Sequence, residues 1–416
     1  MKGQFDQVCM VGLGYIGLPT AAVMASRGLQ VVGLDVNQNT VDTINKGDVH
    51  IVEPDLDIVV RAVLTTGNLR ATTVAEAADA FLIAVPTPFK DVHKPDLSYI
   101  EAAARAIAPV LVSGNLIVLE STSPVGTTEK IAQWLEQERP DLSFPHQAGE
   151  NANIQIAYCP ERVLPGHILQ ELVNNDRIVG GMSKRAAAQA IDLYKTFVKG
   201  ECLVTTARTA ELCKLTENAY RDVNIAFANE MSLVCEPLEV NVWELIQLSN
   251  RHPRVNILQP GPGVGGHCIA VDPWFIIDSA PELSQMIRTA REINDSKPLR
   301  VIDKVLEKAE RINNPCIACF GLSFKADIDD LRESPALNIA FELTKQAKGI
   351  VLLVEPNITQ TPGLMHDMNN VELVDIDTAL SRADIVVGLV DHKEFRSINV
   401  ERLKEKILVD TRGIWS

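Results

Sequence analysis

The run Gly12-Leu13-Gly14-Tyr15-Ile16-Gly17 constrains this chain more than any other stretch. G-x-G-x-x-G alone is weak; its surroundings make it specific. The apolar run Gln7-Val8-Cys9-Met10-Val11 before it reads as a buried strand. Residues 18–27 after it are Ala-rich and helix-prone, with Gly28 placed to stop the helix. A second strand over residues 30–34 ends in Asp35, 18 residues beyond Gly17. Strand, glycine loop, helix, strand and terminal acid in that order predict a dinucleotide-binding βαβ unit. The glycines admit a pyrophosphate to the helix N-terminus. The candidate cofactor residues are therefore Gly12, Gly14, Tyr15, Ile16, Gly17 and Asp35. Asp35 suits ribose hydroxyls and repels a 2′-phosphate, which favours NAD over NADP.

The α/β alternation continues. Residues 80–85 form an apolar strand ended by Pro86-Thr87-Pro88, and residues 116–119 another, ended by Glu120-Ser121-Thr122-Ser123-Pro124-Val125-Gly126-Thr127-Thr128. Ligands bind outside the carboxyl ends of parallel strands. Thr87, Thr122 and Thr128 thus offer hydroxyls to a cofactor, with helix capping as the competing role. A strand over residues 154–158 leads into Cys159-Pro160-Glu161-Arg162. Glu161 at that exit is either a proton acceptor or water-orienting group, or a solvated surface acid.

From residue 209 to 235 the period becomes helical. Polar residues recur on the helix at Lys214, Asn218, Arg221, Asn224 and Glu230; Lys214 and Asn218 share a face at i,i+4. That face is a polar wall for a substrate or plain surface. Asn250-Arg251-His252-Pro253-Arg254 then supplies positive charge, fit for a phosphate or carboxylate. It precedes Gly261-Pro262-Gly263-Val264-Gly265-Gly266-His267-Cys268-Ile269-Ala270-Val271-Asp272-Pro273. Glycines there let backbone approach a ligand, and a cysteine on such backbone can attack a carbonyl carbon; the alternative is an inert buried thiol. Residues 285–306 read as helix interrupted at Pro298. The helical middle is expected to be a spacer between two α/β halves and a subunit interface.

The strand signal restarts at Cys316-Ile317-Ala318-Cys319-Phe320-Gly321 and recurs at residues 350–354, 385–390 and 407–409, with a helix opened by Ser334-Pro335. The first turn, Leu322-Ser323-Phe324-Lys325, lacks the dinucleotide fingerprint. Lys325, Arg332 and Arg412 suit a diphosphate, or are ordinary surface charge.

A length of 416 residues allows two to three domains. Net charge of -15 argues against non-specific nucleic-acid binding. No apolar run reaches the ~18 residues of a membrane span, and the polar N-terminus argues against an export signal. The expected location is therefore cytoplasmic, with the eight scattered cysteines reduced. Cys316 and Cys319 are read as core, and no metal site is expected.

Together these motifs resemble the nucleotide-sugar 6-dehydrogenases, the UDP-glucose/UDP-mannosaminuronate dehydrogenase family. The resemblance covers essentially the whole chain. It is carried by Gly12-Leu13-Gly14-Tyr15-Ile16-Gly17-Leu18-Pro19, Ser121-Thr122-Ser123-Pro124-Val125-Gly126, Pro160-Glu161-Arg162, Lys214 with Asn218, Gly265-Gly266-His267-Cys268, and Phe324-Lys325 with Asp330-Leu331-Arg332-Glu333-Ser334-Pro335. Arg251-His252-Pro253-Arg254-Val255-Asn256 and His267-Cys268-Ile269-Ala270-Val271-Asp272-Pro273-Trp274 resemble the branch acting on UDP-N-acetylmannosamine. The UDP-glucose branch tends to have Ser before the cysteine and Phe-Pro-Lys-Asp after it. Many UDP-N-acetylhexosamine relatives have Pro where Ala270 stands.

The resemblance implies an NAD-binding Rossmann domain over residues 1–205, a helical domain over 206–312 with the cysteine loop and a dimer interface, and a Rossmann-like UDP-sugar domain over 313–416. It implies a homodimer and a four-electron oxidation of a sugar C6 to the uronate, by way of a Cys268 thiohemiacetal and thioester. The product would serve enterobacterial common antigen or a related surface polysaccharide; UDP-N-acetylglucosamine and UDP-glucose are the alternative substrates. By the same resemblance Lys214 assists proton transfer and steadies the oxyanion. Asn218 and Asp272 orient water and protons, with Glu161 and Thr122 supporting. Arg162, Val163, Lys214, Asn218, Arg221, His252, Arg254, Gly265, Lys325, Arg332 and Arg412 contact the sugar nucleotide, Arg254 from the neighbouring subunit. A one-step hydroxyacid dehydrogenase would leave Cys268 and the second α/β unit unexplained, and a non-catalytic NAD sensor would leave the polar Lys214 face unexplained.

Overall fold

A computed structural model of the chain describes residues 5–91, 93–164, 166–266 and 268–415. His267, quoted in the cysteine motif, lies outside the described residues. The chain divides into two compact units, Met1–Thr216 and Glu217–Ser416. The helix Ala207–Cys235 begins in the first and ends in the second.

The first unit is built on an eight-stranded sheet. Its order is Cys202–Thr206, Arg177–Gly181, Gln155–Tyr158, Leu116–Leu119, Ala80–Ile83, Gln7–Val11, Gln30–Leu34, Leu69–Thr72. Neighbouring strands are parallel except where Gln155–Tyr158 meets Arg177–Gly181. The strand order turns back on itself at Gln7–Val11, so the loop after that strand opens at a topological switch point, where α/β sheets bind ligands. Both faces are covered by helices, as a buried parallel sheet requires. One core holds Val8, Met10, Leu18 and Met24, and the other Cys9, Val11, Phe81 and Ile131.

The second unit carries a five-stranded, all-parallel sheet in the order Val371–Leu373, Ile350–Val354, Cys316–Phe320, Ile385–Gly388, Ile407–Asp410. Cys319 belongs to the core on one of its faces, and Cys316 packs against the core on the other, as residues of opposite parity in a strand must. Helix Pro335–Gln346 starts as expected, with Ser334 accepting from Leu337 N at 3.3 Å.

Two expectations are corrected. Residues Gln285–Ala309 form one helix that runs through Pro298. Buried Arg291, Asn294 and Lys297 hold the turns before the proline, and Val301, Ile302 and Val305 hold those after it. Tertiary ties thus offset the local cost of the missing N–H. The buried polar stripe of helix Ala207–Cys235 is also not the expected one. Asn218, Asp222 and Asn229 are enclosed, while Arg221 and Glu230 are exposed and Asn224 is half-buried.

Candidate active site

The glycine loop of the first unit has the shape its spacing predicts. Gly12 sits at φ +92°, and a Cβ there would lie 2.5 Å from Ala84 O. A Cβ on Gly17 would meet Gly12 O at 1.7 Å, so helix Gly17–Ser26 could not pack as closely with any other residue. Gly14 has nothing within 4 Å of its Cβ direction. That leaves a backbone cradle open to an approaching group, at a helix start with no side-chain cap among the described residues. Such an end offers N–H donors and positive dipole to a phosphate. Asp35 accepts from Leu13 N and Asn37 N, each at 2.9 Å, and so fixes the loop to the end of the second strand. Tyr15 is exposed and Ile16 half-buried. The residues present fit a dinucleotide.

At the neighbouring strand exits Thr122 is half-buried. Thr87 Oγ1 is enclosed and has no hydrogen-bond partner among the described residues. Thr128 is fully buried instead of lining an open exit: its hydroxyl donates to Glu211 at 2.6 Å and its N–H at 2.8 Å, while Gly126 N adds a third bond at 2.6 Å. Burial raises the Glu211 carboxyl above its ordinary range against those hydrogen bonds. Glu161 is not a solvated surface acid. It is 8% exposed, pairs with buried Arg177 and accepts from Arg162 N at 2.7 Å. Arg177 lies 5.4 Å over the Tyr194 ring, and the Tyr194 hydroxyl donates to buried Glu120 at 2.6 Å. Arg162 donates to Asp176 O, and Val163 packs on the first core. Glu53 accepts from Gly166 N and Ile168 N at 2.8 and 2.7 Å, anchoring the far side of this segment.

In the second unit, Cys268 is exposed in the turn that leads into helix Asp272–Ser279. Its carbonyl accepts from Asp272 N at 2.9 Å and Val271 N at 3.1 Å. Asp272 is 2% exposed, and Asn218 donates its side-chain amide to the carboxylate. Lys214, half-buried, stands one turn before Asn218 on the same helix.

The loop glycines make room mainly for protein. A Cβ on Gly265 would lie 2.5 Å from Glu333 O and 2.6 Å from Pro335 Cδ. One on Gly266 (φ +84°) would lie 3.2 Å from the Phe324 ring, and one on Gly261 2.8 Å from Arg412 Nη1. The cysteine loop is thereby seated on the turn after strand Cys316–Phe320, next to Lys325 and Arg332. Both of these are exposed, Arg332 paired with Asp330 at 2.7 Å. Arg412 binds Asp391 at 2.7 Å. Burial acts to raise that carboxyl, and Arg412 with Arg396 outweighs it and holds it below the usual range. Arg221, His252 and Arg254 are exposed.

Sequence reasoning missed Glu53, Glu120, Arg177, Tyr194 and Glu211, whose partners lie far away along the chain. Asp222 and Asn229 had a signal, their helical spacing from Asn218.

Comparison with known proteins gives a consistent result. Profiles of the UDP-glucose/GDP-mannose dehydrogenase family match over residues 6–198 (NAD binding domain), 208–296 (central domain) and 318–416 (UDP binding domain). An NDP-N-acetyl-D-galactosaminuronic acid dehydrogenase of Ralstonia nicotianae is 64% identical over 412 residues, 99% of this chain and 97% of that one. A UDP-N-acetyl-D-mannosamine dehydrogenase of Campylobacter jejuni is 61% identical over 401 residues, 96% and 98% of the two chains. Among solved structures, the UDP-D-ManNAc dehydrogenase of Pyrococcus horikoshii superposes with a TM-score of 0.86 at 40% identity, covering 98% of this chain and 96% of that one.

Proposed function

This chain belongs to the UDP-glucose/GDP-mannose dehydrogenase family, and we propose that it oxidises C6 of UDP-N-acetyl-D-mannosamine to the uronate in two NAD-dependent steps. The observation that carries this reading is the setting of Cys268: an exposed thiol at the head of a helix whose first residue, Asp272, is buried and held by Asn218. NAD, held by Gly12, Gly14, Tyr15, Ile16, Gly17 and Asp35 with Thr87 and Thr122, supplies the hydride acceptor for each step.

The rest is done by side chains of this chain. The first oxidation leaves an aldehyde at C6. Cys268 Sγ adds to that carbon and its proton passes to the aldehyde oxygen, giving a thiohemiacetal whose tetrahedral carbon bears a hydroxyl beside the C–H bond it kept. Loss of hydride and of the hydroxyl proton gives the Cys268 thioester. Water then breaks the C–S bond, and the products are carboxylate, a proton and the thiol. Lys214 takes and returns protons at the C6 oxygen and offsets its developing charge. Asn218 and Asp272 orient the hydrolytic water. Glu161, with both carboxylate oxygens already accepting hydrogen bonds, supports with Thr122 by fixing positions. The sugar nucleotide is bound by Arg162, Val163, Arg221, His252, Arg254, Gly265, Lys325, Arg332 and Arg412, whose cations suit a diphosphate.

The division into NAD-binding, helical and UDP-sugar domains at 205/206 and 312/313 belongs to this reading, as do a cytoplasmic site of action and a homodimer. Tyr220, Phe227 and Val234, exposed at seven-residue intervals on helix Ala207–Cys235, support the dimer; Arg254 would then come from the second copy. Among the described residues no helix is long and apolar enough to cross a membrane.

A second reading, the same oxidation of an NDP-N-acetyl-D-galactosamine, is favoured by the 64% identity to the Ralstonia enzyme. A panel of UDP-N-acetylmannosamine, UDP-N-acetylgalactosamine, UDP-N-acetylglucosamine and UDP-glucose, each with NAD, separates the two. The expected result is turnover of the mannosamine compound with two NADH per uronate. A limiting value of one NADH would break the mechanism, and preference for another sugar would reassign the substrate.

A further inference from the structure

The cysteine loop is tied to the long helix at its start as well as at its end. Asn229 is completely enclosed, and its Oδ1 accepts from Gly261 N at 2.8 Å. Its Nδ2 donates to Asn294 Oδ1 at 2.8 Å, and Asn294 Nδ2 donates to Asp222 Oδ1 at 2.8 Å and Asp222 O at 3.0 Å. Asp222 also accepts from Arg291, so the chain of bonds ends in a buried ion pair. At the loop's other end Asn218 holds Asp272. Asn218 and Asn229 are 11 residues apart on one helix, about three turns, and so lie on the same stripe.

We propose that Asn229 is a positioning residue for the reaction: by fixing Gly261, it sets where the loop begins and hence where Cys268 is presented. Between Gly261 and Asp272 the backbone is glycine-rich; Gly265 and Gly266 pack on Glu333, Pro335 and Phe324, and the helix ties the two ends. The place calls for one side chain that accepts from Gly261 and donates to Asn294 at the same time. Misplacing a reacting atom by about 1 Å costs roughly 10²-fold in rate, so a slack loop would impair thiol chemistry before it impaired binding. This rests on the assignment of Cys268 as the thiol that captures the aldehyde.

The test compares Asn229→Leu, which removes both bonds, with Asn229→Asp, whose enclosed carboxyl keeps the acceptor for Gly261 N and, when protonated, the donor to Asn294. Asn229→Ser, too short to reach Gly261, serves if the leucine variant does not fold. For Leu or Ser we expect kcat to fall by about 10²-fold with KM for NAD within twofold. NADH per sugar should drop from two toward one, with free aldehyde trapped by a hydrazine, because the thiol-dependent second step is the one disturbed. The aspartate variant should restore most of the rate and the ratio. A ratio that stays at two with near-normal kcat, or losses of rate, NAD affinity and melting temperature in equal proportion, would overturn the proposal. Cys268→Ala is run alongside: uronate from that variant removes the cysteine assignment itself, independently of Asn229.

Discussion

Tyr194 donates its phenolic hydrogen to Glu120 at 2.6 Å, and both side chains are sealed from solvent. The second oxygen of Glu120 has no hydrogen-bond partner among the described residues. Burial, and then the negative charge of Glu161, push this carboxyl up to about 7; Arg177 and the Tyr194 hydroxyl oppose the rise without cancelling it. The folded state therefore keeps a proton that the unfolded chain has released from about pH 4.5 upward. Stability is lost as pH climbs from 4.5 through 7, and the loss is complete above it.

Glu120→Gln should remove that penalty while still accepting from Tyr194. At pH 8 the variant is expected to be more stable than the parent by up to roughly 3 kcal/mol, at about 1.4 kcal/mol per pKa unit; at pH 4.5 the two should match. Chemical denaturation at both pH values checks this. Equal stability at pH 8 would mean that ionising Glu120 costs the fold nothing and that burial does not raise its carboxyl.

Gly14 and Gly265 predict opposite outcomes for one substitution. Gly14→Ala places a methyl in open space, so the apo-protein should melt within a degree or two of the parent while KM for NAD rises about tenfold, a 1.4 kcal/mol effect. Gly265→Ala places it 2.5 Å from Glu333 O. Overpacking of that kind costs about 1–3 kcal/mol and would displace the cysteine loop, so both melting temperature and kcat should fall. Melting curves with and without NAD, beside steady-state kinetics, separate the two.

How much of this could be read from the sequence depended on the distance between partners. Gly12, Gly14, Gly17 and Asp35 act within one βαβ unit, so their spacing revealed both the fold and the cradle. Cys268 stood out through its glycines, but their main role was misjudged, since Pro335, Phe324 and Arg412 press on them from 58 or more residues away. Glu161 stayed open between a proton acceptor and a surface acid because Arg177, which buries it, arrives on another strand. Thr128 looked like a cofactor contact because Glu211, its acceptor, is 83 residues downstream. Asp222 and Asn229 were legible in principle, at helical intervals from Asn218. They were passed over because inward-facing polar residues are read from period only if the buried face is known.

Asp35 offers a test of the cofactor assignment. Its two oxygens hold Leu13 N and Asn37 N, so Asp35→Ala leaves those donors without a partner as well as removing the ribose contact. A stranded donor costs about 1–3 kcal/mol. KM for NAD should rise at least tenfold, and NADP should not become the better cofactor, because no cation replaces the acid. Kinetics with both dinucleotides measure this; an unchanged KM for NAD would place the adenosine elsewhere.

Cys268→Ser is the sharpest test of the reaction itself. Serine keeps the turn, since Asp272 N and Val271 N bind the residue's carbonyl. It exchanges a good nucleophile and leaving group for a poor one. NAD affinity should be unchanged, while uronate formation should fall by about 10³-fold or more, in line with the loss of a nucleophile elsewhere. Any residual NADH should approach one per sugar with aldehyde released. Calorimetric titration of NAD, a mass-spectrometric uronate assay and a search for a substrate-sized adduct on Cys268 in the parent give three independent readings. Full uronate yield from the serine variant would assign the second oxidation to a hydrated aldehyde and leave Cys268 as a residue of the turn alone.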